Sequence, residues 1–374
     1  MMKVPFYDST REYGLRKGEF DKAVLDVMSH GDFILGTEVA EFESEAAGWL
    51  GVKHAIGVAS GSDALVLAAD ILGFRDGAEV LTPTFTFFAS TSCVVRLGGK
   101  PVFVDLEEES LEMDLADAEH KLTKSTKGII PVHLFLQPAP METLMNMARR
   151  YGLKVLEDAA EAWGMESRIG TVWKKAGTIG DIGIFSFFPT KTLGAYGDAG
   201  LISTNDDEMA KKIRSYRTHG SSIKYHHDYI GYNSRLDTIQ ATILRLKLKT
   251  IKEAIAARSA HAKHYDEKLA RIPGLSFPKI LEKSKAVYYV YNILAPRRDE
   301  LAQHLKEKGI GSSIYYPIPL HLQKCFAYLG YREGDFPVAE RVAKKILALP
   351  MYPELRVDEI DYICDEIAAF YRVG

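Results

Sequence analysis

The segment Ser186-Phe-Phe-Pro-Thr-Lys191-Thr-Leu-Gly194-Ala-Tyr-Gly197-Asp-Ala-Gly200 puts one lysine behind an apolar run and ahead of three spaced glycines. Glycines there let the backbone approach a ligand. An amine in a partly desolvated cleft has its pKa lowered, which suits Lys191 to form an imine with a carbonyl. Read alone, the same segment is equally a surface lysine beside a glycine-shaped turn, and it lacks the strand, GxGxxG and helix context of a dinucleotide site. Asp158 closes the apolar run that starts at Leu153 and precedes Ala159-Ala160. Its carboxylate is predicted at the carboxyl edge of a sheet, where it either keeps a pyridine nitrogen protonated or merely caps a following helix. The run Gly57-Val-Ala-Ser60-Gly61-Ser62-Asp63 joins a strand to a helix start. Small residues there turn free backbone N–H groups and the positive end of the helix dipole toward a phosphate, although a plain N-cap accounts for Ser62 equally well.

These residues need a platform. Short apolar runs at His54 to Ala59, Glu79 to Thr82, Pro101 to Asp105, Gly128 to Leu134, Lys154 to Glu157, Ile182 to Phe188 and Leu201 to Thr204 alternate with amphipathic stretches. That order predicts an α/β fold: a largely parallel sheet with helices on both faces and ligands at the carboxyl ends of its strands. From Gly231 to Pro273 no glycine or proline intervenes, and apolar residues recur through Leu236, Ile239, Ile243, Leu246 and Ile251, which predicts one long helix leaving the sheet domain. Beyond it a strand at Ala286 to Leu294, a helix near Asp299 to Lys308, a strand at Gly311 to Tyr315 and a C-terminal helix form a small α+β domain. The domains are read as residues 1–245 and 246–374. Cys364, on the stripe Ile360, Ile363, Cys364, Ile367, Phe370, reads as a buried filler.

Phosphate cradle, strand-end acid and imine lysine follow one another on a single sheet, and six motifs in register sharpen them: Phe33-Ile-Leu-Gly36, Ala59-Ser-Gly-Ser-Asp-Ala-Leu65, Glu157-Asp-Ala-Ala160, Ser186-Phe-Phe-Pro-Thr-Lys191, Gly231-Tyr-Asn-Ser-Arg-Leu-Asp237 with Gln240, and Leu349-Pro-Met-Tyr-Pro353. Across nearly the whole chain the sequence resembles the DegT/DnrJ/StrS family of pyridoxal-phosphate-dependent sugar aminotransferases. The resemblance implies an aspartate-aminotransferase-like architecture, fold type I among pyridoxal phosphate enzymes, with a seven-stranded sheet in the large domain.

By this resemblance Lys191 carries the cofactor, pyridoxal 5'-phosphate, which cycles through pyridoxamine phosphate. Asp158 pairs with the pyridine nitrogen and Phe87 stacks on the ring. Gly61 and Ser62 offer backbone N–H groups to the phosphate, Ser186 offers its hydroxyl, and Asn233 reaches the phosphate of a neighbouring subunit, which implies a homodimer with shared sites. Arg235 holds the carboxylate of the amino donor, implied to be L-glutamate, and Tyr316 and His321 contact a nucleotide-linked keto sugar. Glu161 stands where many members have Gln or His beside the 3-hydroxyl, Leu136 replaces a common Gly and Tyr315 a common His, both predicted to reshape the acceptor pocket. The Met165 to Gly180 stretch is longer than usual. The form Asn233-Ser-Arg235 resembles members that aminate C3, and Glu161 resembles some that aminate C4. Lys191 itself separates the chain from family dehydratases, which carry His there. A cyclitol ketone as acceptor and a non-catalytic regulator of the same fold are the alternatives.

Composition bounds the rest. The chain has 374 residues, 47% hydrophobic and 26% charged, which excludes disorder, collagen and coiled coil. A net charge of −3 without any basic run argues against nucleic acid. The absence of a leader pattern at Met1 to Ser9 and of long apolar stretches argues against a membrane and for the cytoplasm. Three scattered cysteines make neither a disulfide framework nor a zinc site, and His226 and His227 have no ligand-spaced partner, so no metal is expected.

Overall fold

Seven short segments rich in Val, Ile and Phe hydrogen-bond into one sheet in the computed structural model, which describes residues 2–373. In chain order the strands of this part are β1 (His54–Val58), β2 (Glu79–Pro83), β3 (Lys100–Val104), β4 (Thr126–Ile129), β5 (Lys154–Asp158), β6 (Glu166–Ile169), β7 (Val172–Lys175), β8 (Ile182–Ser186) and β9 (Gly200–Thr204). The sheet runs β1-β9-β8-β5-β4-β2-β3, and only β9 is antiparallel to its neighbours, so the other six strands end on one edge. All seven predicted strands are present. Four consecutive residues of β1, β2, β3 and β5 are buried, which only a sheet covered on both faces allows. One face packs Ile56, Ile184 and Ile202 on the helix Gly61–Ile71; the other packs Phe185 and Leu201 on Phe42 of the helix Thr37–Leu50. Each such side chain contributes roughly 1.5–3 kcal/mol by burial, which makes the sheet a stiff base for its edge.

The long stretch before Pro273 differs from its prediction. It is extended to Asp237 and then forms two helices, Thr238–Leu248 and Ile251–Leu269. The carbonyls that would continue the first helix are diverted: Leu246 O accepts from Arg16 Nη2 at 3.0 Å, and Lys247 O from the Thr250 N–H at 3.1 Å. Arg16 Nη1 also donates to Thr250 Oγ1 at 3.1 Å. A guanidinium from the N-terminal helix Ser9–His30 thus supports the break.

Two small strand pairs decorate the first unit. β10 (Ser221–Ile223) and β11 (His226–His227) form an exposed hairpin, so the two histidines lie on its strand rather than in a loop. The stretch from Met165 to Gly180 forms the β6–β7 hairpin, extended by β12 (Ser284–Lys285), and Lys285 Nζ sits 4.4 Å from the centre of the Trp173 ring. The C-terminal unit packs the helices Ile251–Leu269, Arg298–Glu307 and Val357–Val373 against β13 (Tyr291–Leu294) paired with β14 (Ile346–Leu349). The strand expected at Gly311 to Tyr315 is reduced to one bridge, Ser313 with Ala348, because β14 takes the place beside β13. Cys364 is buried in this core. So is Val4, whose backbone joins Gly309 and Gly311 with N···O distances of 3.0 and 2.8 Å.

Candidate active site

Gly61, Ser62, Phe87, Asp158, Glu161, Ser186 and Lys191 come from the carboxyl edge of the sheet or the turns beyond it, whereas Asn233, Arg235, Tyr316 and His321 come from other segments. Gly200 opens β9 between the ends of β1 and β8, facing Val58 and Ser186. A Cβ on Gly200 would lie 2.5 Å from the Ser60 carbonyl, and one on Gly61 would lie 2.7 Å from the Ser186 Cβ. Only glycine lets these turns close on one another. Ser60, not Ser62, is the N-cap of the helix Gly61–Ile71: its Oγ accepts from Asp63 N at 3.1 Å and its carbonyl from Ala64 N at 3.0 Å. Among the described residues this leaves the N–H groups of Gly61 and Ser62 without a protein acceptor, beside Ser186 and at the positive end of the helix.

Asp158 is 3% exposed. No helix follows it, so the capping alternative falls. Oδ1 accepts from Ala160 N at 3.1 Å and Oδ2 from Ser90 Oγ at 2.7 Å, while Ser90 also shares a hydrogen bond with Thr86 Oγ1. Burial pushes the Asp158 carboxyl above its usual range, against Ser90, Ala160 and Lys191, which favour the charged form. A carboxylate so placed gains from any N–H donor brought to it.

Lys191 belongs to a loop pinned at its base by Phe187 N to Ala199 O and Ala195 N to Phe187 O, at 2.9 and 2.8 Å. Its Nζ lies 3.0 Å from Glu161 Oε1, and Glu161 Oε2 accepts from the Phe135 N–H at 2.9 Å. The expectation of a lowered amine pKa is corrected here. Burial does lower it, but the Glu161 charge and hydrogen bond and the nearby Tyr289 and Asp158 more than compensate, and the ammonium is favoured. An ammonium cannot attack a carbonyl, so imine formation at Lys191 requires that this proton first leave.

Phe87 is 57% exposed, its ring centre 6.3 Å from that of Tyr316. Tyr316 lies between Phe85 and Phe135 at 5.9 and 6.4 Å, with its phenol pushed far up by burial beside Glu161. His321 does not join them. It is 1% exposed, with Nδ1 2.7 Å from Thr84 Oγ1 and Nε2 3.1 Å from Glu340 Oε1, so both ring nitrogens are spent on the protein and the expected sugar contact is corrected to a buried tie. Leu136 is also buried in the core rather than facing a pocket. Arg235 makes no ion pair among the described residues, which removes the alternative of a helix-start salt bridge. Asn233 is exposed, bridged through its backbone to Thr218 beside the β10–β11 hairpin.

Sequence reading missed several supports. Glu157 is fully buried with its back to the site. It accepts from the Gly177, Ile179 and Gly180 N–H groups and, at 2.9 Å, from His133 Nε2, whose Nδ1 in turn accepts from Ala139 N. Glu112 is buried behind the turn that holds Glu161; its Oε2 has no partner, and the Leu134 amide favours its charged form without offsetting burial and the Glu161 charge. Its carboxyl is therefore held well above the carboxylate range. A raised folded-state pKa gives stability that is complete below the unfolded value and lost as pH rises through the folded one. Glu112→Gln should match the parent in melting temperature at pH 4 and exceed it by about 3 °C at pH 9 in a calorimetric pH series. A constant offset at both pH values would refute the assignment.

The sequence matches the DegT/DnrJ/EryC1/StrS aminotransferase family over residues 15–368. The chain belongs to this family. It is 45% identical to the pleiotropic regulatory protein of Geobacillus stearothermophilus, with 99% of each chain covered, and 41% identical to the UDP-N-acetyl-3-dehydro-alpha-D-glucosamine 3-aminotransferase of Acidithiobacillus ferrooxidans, with 97% of each covered. The crystal structure of Streptomyces venezuelae DesV in complex with a ketimine intermediate superposes with a TM-score of 0.95 at 37% identity over 99% of both chains. This member of the DegT/DnrJ/EryC1/StrS family is thus a pyridoxal-phosphate-dependent aminotransferase, and its α/β architecture is the one expected. The geometry fits the cofactor independently of that likeness. Two free amides and Ser186 answer a phosphate, a buried carboxylate awaiting a donor answers a ring nitrogen, and a clamped lysine answers an aldehyde. Among the described residues no helix is long and apolar enough to cross a membrane.

Proposed function

We propose that the protein transfers an amino group from L-glutamate to C3 of a 3-oxo hexose carried on a nucleotide, with a dTDP-linked 6-deoxy sugar as the acceptor. The observation that carries the reading is the conjunction of Lys191 clamped on Glu161, a buried Asp158 and an Arg235 without an internal partner. The Asn233-Ser-Arg235 form supports C3. A second reading, a UDP-linked N-acetylated 3-oxo sugar, is favoured by the name of the Acidithiobacillus relative.

Pyridoxal phosphate, when bound, supplies an electron sink and a carrier for the amino group. The protein does the rest. The Gly61 and Ser62 amides and the Ser186 hydroxyl would hold the cofactor's phosphate, Asp158 would keep a proton on its ring nitrogen, Phe87 would stack on its ring and Glu161 would share a proton with its 3-hydroxyl. Arg235 fixes the donor's carboxylate by its planar fork. Lys191 Nζ would take the proton from the donor's Cα and give it up again from the same position, and in the second half reaction would move a proton to the sugar carbon that receives the amino group. The site is shared in a homodimer through Asn233, a reading supported by Ile223, Tyr225 and Ile230 lying exposed around it, Ile230 by 97%.

Turnover decides this. With L-glutamate and a panel of dTDP- and UDP-linked 3-oxo and 4-oxo sugars, 2-oxoglutarate release and product mass should give a kcat/KM for a 3-oxo acceptor at least about 100-fold above its 4-oxo isomer. Turnover of a 4-oxo sugar with none of the 3-oxo isomer overturns the position. Release of no 2-oxoglutarate from any acceptor, with no bleaching of the bound cofactor by glutamate alone, promotes the regulator.

A further inference from the structure

Lys191 Nζ has a second neighbour besides Glu161. The centre of the Tyr289 ring lies 4.2 Å from it, and the Tyr289 hydroxyl is 3.0 Å from Oγ1 of Thr190, the residue before Lys191. Tyr289 comes from the segment leading into β13, almost 100 residues downstream, and its placement is fixed from three sides. Its N–H donates to Phe135 O at 2.9 Å, Val287 N–H donates to Leu136 O at 2.9 Å, and Arg258 Nη1 donates to the Tyr288 and Tyr289 carbonyls at 3.2 and 3.1 Å. Phe135 is also the residue whose N–H holds Glu161. One turn therefore aims both a carboxylate and the face of an aromatic ring at the same amine, the carboxylate by donating to it and the ring by accepting from its backbone.

We propose that Tyr289 is a positioning residue for the Lys191 amine, its ring face holding Nζ as an ammonium during the interval in which the lysine is released and carries a proton. The ring's negative face attracts a cation without hydrogen-bonding it or removing its proton, so the ammonium stays ordered and can still give the proton up. Glu161 alone would hold the charge too but is also expected to serve the 3-hydroxyl; the ring, packed in the core, has no proton to exchange with the amine. The titratable groups that interact with Nζ are Glu161 and Asp158 from the edge of the sheet and Tyr289 and Tyr315 from the C-terminal part of the chain. The proposal rests on the reading of Lys191 as the reactive amine.

The test compares Tyr289→Phe, which keeps the ring and loses the bond to Thr190, with Tyr289→Leu, which loses the ring. Acetic anhydride labels Lys191 in the full chain across a pH series, without added cofactor and again with pyridoxal phosphate, and the labelled peptide is quantified by mass spectrometry. The parent and the Phe variant should titrate within about 0.3 unit of each other, and the Leu variant about one unit lower, since losing the ring favours the uncharged amine. Pentafluorophenylalanine at 289, with the same shape and an inverted ring face, should behave as Leu does and serves if the Leu variant does not fold. Equal midpoints in all variants overturn the proposal, as does a Phe variant that falls as far as Leu, which would assign the effect to the hydroxyl. Pyridoxal phosphate that leaves Lys191 unprotected in the parent chain overturns instead the reading of Lys191 on which the proposal rests, so the two failures are distinguishable.

Discussion

Lys191→Ala, supplied with pyridoxal phosphate, is expected to show no visible band of lysine-linked cofactor and to transaminate at least about 1,000-fold more slowly than the parent, with its fold intact. Two roles end with the side chain: covalent anchoring of the cofactor and movement of the proton at Cα, each of which contributes orders of magnitude to rate. The fold survives because Glu161 Oε2 keeps the Phe135 amide at 2.9 Å and the carboxyl, without its cation, takes up a proton rather than staying buried as an unpaired charge. A small primary amine such as methylamine should restore part of the rate by replacing the proton carrier but not the anchor. Retention of the visible band, or of a tenth of the rate, would show that another lysine does this work.

Asp158→Asn isolates charge from shape. The amide can still accept from Ser90 or from Ala160 N, the bonds of 2.7 and 3.1 Å that orient the carboxylate, but it cannot keep a ring nitrogen protonated. The expected result is a cofactor that still binds and a kcat lower by about 1,000-fold, in the upper range for loss of one preorganised electrostatic partner. Ser90→Ala should cost about 10-fold, because the Ala160 amide continues to hold the other oxygen. Single-turnover absorbance with L-glutamate reads both. An Asp158→Asn enzyme within 10-fold of the parent would remove the electron-sink role from this residue.

The chemistry was legible where residues sit at strand ends within a few positions of an apolar run. Asp158 ends β5, Gly61 and Lys191 come three and five positions after β1 and β8, and the shared direction of those strands puts them on one edge. What reaches the site across the chain was not. Ser90, Glu112 and Tyr289 stand in segments whose local pattern says only helix, loop and strand, and each matters through a partner 68, 49 or 98 positions away, respectively Asp158, Glu161 and Lys191. The helix break at Thr250 has the same origin, since Arg16 supports it from 234 residues upstream. His321 shows the opposite error. Its motif position is that of a sugar contact, but Thr84 and Glu340 draw the ring into the core, and neither residue can be foreseen from the motif.

The attachment of Val4 to Gly309 and Gly311, with Arg11 gripping Glu359 through two nitrogens at 2.7 and 2.6 Å, bears on how the chain is made. Val4 and Arg11 meet these partners only after about 300 further residues have been made, and the sheet between them can assemble meanwhile from neighbours close in sequence. Closure of the C-terminal core is thus a late event in synthesis that uses a segment made long before as its strap. A fragment starting at the helix Ile251–Leu269 would be born without that strap, and a bulky fusion close in front of Val4 would burden the same step.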